Sequence, residues 1–314
     1  MNRSRFNSLK YVVLFLLVFP CFKQGKAQQD PMYTQYMHNP LTVNPAYAGS
    51  TDMMSAMFLA REQWVGFDGA PKSRTLTLSA PITRYDIGAG FAFINDELGP
   101  VKQNSFYTDF AYHLTLGEKG KLSFGLKGGF DMIQIDLMNL ALDQQNDGTF
   151  AQNFEEQFIL NFGLGLYYYT DRFYLGVSIP RMLKNNYDND GINTTSLGYK
   201  ERHYFVTTGA LFDLNDYIKL KPSILSKIVW NAPVSIDLSA NFILYDQLWL
   251  GTSYRIDDSM SFLIHYQLSD QLRVGYAFDL TESEMRRYNN GTHEIMVAFD
   301  FQFNKKKIMT PRYF

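Results

Sequence analysis

Leu272-Arg273-Val274-Gly275-Tyr276-Ala277-Phe278-Asp279-Leu280-Thr281 carries a period of two along its whole length. Leu272, Val274, Tyr276, Phe278 and Leu280 alternate with Arg273, Gly275, Ala277, Asp279 and Thr281. Side chains on a strand point to opposite faces in turn, so this segment makes a ribbon with one apolar and one polar side. The last such segment repeats the pattern, with Ile295, Val297, Phe299, Phe301 and Phe303 set against Glu294, Met296, Ala298, Asp300 and Gln302. Met260, Phe262, Ile264 and Tyr266 do the same against Ser261, Leu263, His265 and Gln267.

Working outward, the spacing predicts about 14 strands, most near the length a tilted strand needs to cross hydrocarbon. They fall at 53–64, 73–82, 87–95, 102–115, 121–133, 157–169, 172–179, 201–213, 218–226, 234–244, 247–256, 259–268, 271–280 and 293–303. A soluble β-sandwich also alternates. The connections separate the two, because every second one is short: Leu116–Gly120, Thr170–Asp171, Asn215–Tyr217, Tyr245–Asp246 and Ser269–Asp270. The long ones, at 134–156, 180–200 and 281–292, all belong to the other set. Short inner turns with long outer loops mark outer-membrane barrels. The expected fold is therefore all-β, a transmembrane antiparallel β-barrel over residues 52–303.

The chain ahead of it opens as an export signal. Arg3, Arg5 and Lys10 precede the apolar run Tyr11–Phe19, and Gly25-Lys26-Ala27 offers a small-x-small cleavage pattern. Residues 1–27 are read as a signal peptide cleaved near Ala27. A lipoprotein would use Cys21, but Phe19 and Pro20 stand where small residues are wanted. Since Cys21 is the one cysteine, the processed chain has none, which excludes disulfide scaffolds and thiol chemistry. Removing residues 1–27 takes away five basic residues and leaves 24 against 31 acidic ones. So acidic a chain lacks the basic footprint that nucleic acid needs. Residues 28–51, rich in proline and without a period, are expected to be extended, and residues 304–314 form a basic tail with Lys305-Lys306-Lys307.

Chemistry is sparse. His38, His113, His203, His265 and His293 stand in no metal-ligand spacing and beside no nucleophile motif, so no enzyme, metal or cofactor is expected. The polar strand faces should line the lumen with Arg61, Asp109, Asp237, Arg255, Arg273, Asp279, Glu294 and Asp300. Antiparallel pairing of the last two strands should bring Arg273 to Asp300, and closure onto the first strand should bring Glu294 to Arg61. Such charges can form a pore constriction or an internal ion-pair network; the network is favoured, because charges away from water need partners. Strand glycines such as Gly88, Gly90, Gly125 and Gly165 are read as relieving crowding. Tyr167, Tyr168, Tyr169, Trp249 and Tyr254 are read as interfacial belts. The polar loops Asp143–Asn153 and Asn185–Asn193 suit a protein-binding surface, a lid, or plain solvated loops.

Asp30-Pro31, Gln35-Tyr36-Met37, Asn39-Pro40-Leu41 and Asn44-Pro45-Ala46-Tyr47-Ala48-Gly49 resemble the opening signature of the PorP/SprF family, outer-membrane proteins of the type IX secretion system of Bacteroidetes. Weaker matches follow at Arg61, Gln63-Trp64, Gly66, Gly69-Ala70-Pro71, Asn95-Asp96, Gly99-Pro100, Pro222-Ser223, Gly251, Tyr254-Arg255, Gly275-Tyr276-Ala277 and Gly291-Thr292-His293-Glu294. The resemblance spans the processed chain and implies a non-enzymatic, integral outer-membrane component of secretion. It would bind or anchor cargo, including gliding adhesins, or a periplasmic ring or peptidoglycan-binding component. It further implies an opening segment in the periplasm or the barrel mouth; the basic tail maps onto no part of the pattern. Two other readings stay open: a passive or lipid-carrying transport barrel, and a soluble exported β-protein.

Overall fold

The computed structural model describes residues 32–136, 154–183, 185–186, 199–230 and 232–301. Asp30, Pro31, the signal peptide, the tail 304–314 and most of both polar loops lie outside them. Among the described residues the strands are β1 (Met54–Glu62), β2 (Lys72–Ile82), β3 (Ile87–Leu98), β4 (Val101–Leu116), β5 (Gly120–Ile135), β6 (Phe154–Tyr169) and β7 (Phe173–Ile179). After the two-residue ladder β8 (Asn185–Asn186) and β9 (Tyr199–Lys200) come β10 (His203–Ala210) and β11 (Phe212–Asn215). The series ends with β12 (Ile218–Val229), β13 (Ser235–Leu244), β14 (Leu248–Arg255), β15 (Ser259–Gln267), β16 (Leu272–Thr281) and β17 (Thr292–Phe301).

The barrel strands pair antiparallel in chain order, β7 with β10 and β10 with β12, and β1 pairs with β17, Met54 opposite Phe301 and Glu62 opposite His293. β10 and β11 are two pieces of one stave, broken at Leu211, and β10 pairs with both β7 and β12. The result is a closed antiparallel barrel of 14 staves. Closure leaves no sheet edge, as a membrane requires of strands.

Burial is inverted relative to a soluble protein. Phe158, Leu160, Phe162, Leu164 and Leu166 of β6 are exposed, as are Phe262, Ile264 and Tyr266 of β15. The buried positions alternating with the latter are Ser259, Ser261, Leu263 and His265. An apolar outside around a polar inside is the pattern of strands facing lipid. The turn end carries the connections 83–86, 117–119, 170–172, 216–217, 245–247 and 268–271, and the loop end carries the longest ones. In outer-membrane barrels these ends face the periplasm and the exterior. Helices take no part in crossing, since none among the described residues is long and apolar enough.

The segment before β1 differs from the expectation drawn from its prolines. It is compact, with 3-10 turns at Tyr36–His38, Pro40–Thr42 and Pro45–Tyr47. It lies inside the barrel, not in the periplasm or at the mouth. Pro40 and Pro45 each open a turn, because a fixed φ suits the first position and no N–H is lost there. Tyr36 and Met37 join Phe205, Leu225, Leu263 and Ala277 in one apolar cluster, and Ala46 joins Tyr167, Tyr169 and Tyr174 in another. The core is thus largely an interface between this plug and the barrel wall.

The aromatic belt also needs correction. Tyr167, Tyr169 and Trp249 point inward and are buried, while Tyr254 is exposed. Strand period explains it: of three consecutive tyrosines only Tyr168 can face out. Tyr167 meets plug residue Tyr47 edge to face at 5.6 Å.

Candidate functional site: the plugged lumen

The plug runs from the loop end to the turn end. At its start, Tyr33 bonds Thr75 on β2, and Thr34 reaches β16 and β17. At its finish the Gly49 N–H donates to Ser79 Oγ at 2.9 Å, and the Ala48 carbonyl lies 3.0 Å from His113 Nε2 on β4. Between them Asn44 serves both partners: its Oδ1 accepts from Ala46 N–H at 2.9 Å, capping a turn, and its Nδ2 donates to the Leu166 carbonyl of β6 at 3.0 Å. The Ser178 hydroxyl donates to the Val43 carbonyl at 2.6 Å, and Thr77 donates to Asn39 Oδ1 at 3.2 Å.

Backbone contact this close needs gaps in the wall. A Cβ on Gly88 would stand 1.8 Å from the Ala48 carbonyl oxygen, and one on Gly125 would stand 2.1 Å from the Ala46 nitrogen. These glycines admit the plug; more than crowding between strands is at stake.

Three polar clusters hold it. At the loop end Arg61 bonds Asp279 and Glu294, each at 2.9 Å, and donates to Thr34 Oγ1 at 2.9 Å. Glu294 accepts the Thr34 and Gln35 backbone N–H groups at 3.0 and 2.9 Å, so a wall carboxylate serves a wall arginine and the plug backbone together. Next to it Arg255 pairs with Asp237 at 2.7 Å and Asp258 at 3.0 Å. Mid-lumen, Lys127 pairs with Asp109 at 3.3 Å, Arg181 approaches Asp131 to 3.5 Å, and Tyr107 donates to Asp131 at 2.9 Å. At the turn end His38 of the plug stacks against His265 at 4.0 Å between ring centroids and meets Trp249 edge-on at 5.1 Å. Lys221 and Arg273 lie 5.7 and 5.2 Å from the Trp249 ring centre. Burial first, then the neighbouring His265, Arg273 and Lys221, hold His38 well below the ordinary histidine range.

Arg61 and Glu294, expected as neighbours, are register partners and bonded. Arg273 and Asp300 form no ion pair among the described residues: Arg273 stands opposite Ala298, and it turns to Trp249. Of the family-motif residues, Gln35, Tyr36, Asn39, Pro40, Asn44, Pro45, Tyr47 and Gly49 belong to the plug. Gln63 and Trp64 lie at the loop end, where Gln63 N–H donates to the Pro71 carbonyl and Trp64 N–H to Thr292 Oγ1. The His38–Trp249–His265 group and the Tyr107–Lys127–Arg181 group were not anticipated; the inward parity of their strand positions was the available signal. Among the described residues no three His, Cys, Asp or Glu side chains are grouped to hold a metal.

A membrane-crossing barrel with a polar interior is an integral outer-membrane protein by construction. The chain belongs to the PorP/SprF family of type IX secretion system membrane proteins, whose pattern matches residues 25–299. No curated protein sequence matches the chain. Among solved structures it is similar to the Ralstonia pickettii toluene transporter TbuX, with a TM-score of 0.53 and 10% identity over 86% of this chain and 93% of that one. It is also similar to the monoaromatic hydrocarbon channel CymD, with a TM-score of 0.50 and 9% identity over 87% and 94%. At such identities the likeness is one of fold.

Proposed function

We propose that this protein is a non-enzymatic outer-membrane part of type IX secretion that holds cargo or periplasmic machinery at its ends and passes nothing through its lumen. Family membership supports the secretion role. The observation that carries the rest is the plug, which runs through the lumen from Tyr33 to Ser50 with most of its residues buried. Its motif residues are engaged with the wall, so an outside partner is left with the rims: the loop-end ring near Gln63 and Trp64, and the turn-end face toward the periplasm. Gliding adhesins are one class of cargo this reading covers.

Deleting the gene and following secretion and surface display of type IX cargo tests it. Loss of one or more cargoes from the surface is expected; unchanged display of all of them would overturn it. Steady conductance of the intact protein in planar bilayers would favour a passive transport barrel instead.

A further inference from the structure

The plug has a direction, and β2 records it. Three inward side chains of that strand meet the plug in chain order: Thr75 bonds Tyr33, Thr77 donates to Asn39 Oδ1, and Ser79 accepts the Gly49 N–H. β2 runs from the loop end at Lys72 to the turn end at Ile82, so the plug runs the same way. Other strands agree. The Thr34 and Gln35 N–H groups reach Glu294 near the loop-end start of β17, and the Ala48 carbonyl reaches His113 near the turn-end finish of β4.

The two ends of the plug are therefore not equivalent. At the turn end it is tied to the wall through residues 51–53, since β1 begins at Met54, opposite Phe301. At the loop end burial starts at Tyr33, whereas Met32 is half-buried and borders a pocket with Ile94, Arg181 and Phe205. Whatever precedes Met32 leaves the lumen there. Cleavage near Ala27 leaves four residues ahead of it, Gln28 to Pro31. Fully extended they reach about 14 Å. β1, nine residues long, climbs about 20 Å even when tilted by about 45°. The way back is also occupied by the plug itself. Four residues cannot return to the turn end.

We infer that the amino end of the processed chain is presented on the outside of the cell, at the loop-end mouth, where an exterior partner can take hold of it and the periplasm cannot. The inference rests on cleavage near Ala27 and on the loop end facing outward, and it holds whatever the cargo. It sharpens the proposed role by separating the two kinds of partner. One arriving outside meets the end of the plug as well as the rim, while periplasmic machinery is left with the turns of the wall and the tether 51–53. A pull from the periplasm acts on that tether and cannot draw the plug out by its amino end.

The test uses whole cells and the full chain in a Cys21→Ala background, which has no other thiol. Gln29→Cys places a reporter ahead of every described plug contact, so the fold is not put at risk. Asp68→Cys marks the loop end and Asp270→Cys the turn end; both positions are exposed. A membrane-impermeant maleimide should label the Gln29 and Asp68 reporters on intact cells, on a chain of processed size, and the Asp270 reporter only once the outer membrane is opened. Labelling of the Gln29 reporter only after opening would overturn the inference. So would silence until denaturation, which would mean that the amino end is folded away. Label on a chain still carrying residues 1–27 would remove the cleavage it rests on, and an Asp68 reporter that waits for opening would remove the orientation. Cargo display enters none of these outcomes, so the secretion role stands or falls separately.

Discussion

At the loop end of the lumen Arg61 and Arg255 meet Asp237, Asp258, Asp279 and Glu294, and the surplus acceptors take up backbone N–H groups of Thr34 and Gln35. At the turn end Lys221 and Arg273 meet the face of Trp249, and the His38 and His265 rings stack beside it. The two clusters hold the same plug by opposite means. One cluster ties the plug by ion pairs and charge-assisted hydrogen bonds, the other by stacked rings with cations set over an indole. Removing one partner of a buried ion pair is costly, whereas a single ring contact is worth less.

The contrast can be broken in graded ways. Removing the plug has the largest expected effect: a chain lacking residues 28–50, expressed behind its export signal, should form stable pores in planar bilayers where the full chain gives none. Next comes Glu294→Ala, which removes one of the two carboxylates on Arg61 and strands two plug N–H groups. Losing one partner of a buried pair costs about 3–5 kcal/mol, read as a lowered denaturant midpoint in detergent. Gly125→Val should cost about 1–3 kcal/mol in the same assay by forcing the plug backbone away from β5. Trp249→Phe, which keeps a ring at the turn end but weakens its pull on Lys221 and Arg273, should cost only about 0.5–1 kcal/mol. A Trp249→Phe loss as large as that of Glu294→Ala would erase the distinction between the two ends.

The barrel was legible in the sequence because lipid and lumen impose opposite demands on alternate residues. Leu272–Thr281 and Ile295–Phe303 show it without help from tertiary contacts, and the parity of loop lengths gave closure. Register followed near the seam, where Arg61 and Glu294 meet as expected. At Arg273 it is offset: Asp300 acts on it from two residues beyond its register partner Ala298, because alternation says which face a residue takes and not which neighbour it stands opposite. The plug was invisible for a different reason. Its Asn39-Pro40 and Asn44-Pro45 steps set tight turns without any period, and its partners, such as Gly88 and Gly125, are the absence of side chains. Tyr167 and Trp249 were misplaced because a belt and a lumen both welcome aromatics, and only parity with the neighbouring strand positions separates them.

Residues 32–50 reside inside the closed barrel. In a Cys21→Ala background the chain has no thiol, so Ala46→Cys places a single reporter where the plug passes β5. Labelling with a membrane-impermeant maleimide on intact outer membranes, against Asp68→Cys in a loop-end connection, tests it most directly. Cys at position 46 should stay unlabelled until the protein is denatured, while the loop reporter reacts at once. Equal labelling of the two in the native membrane would show that the lumen is not filled by its own chain.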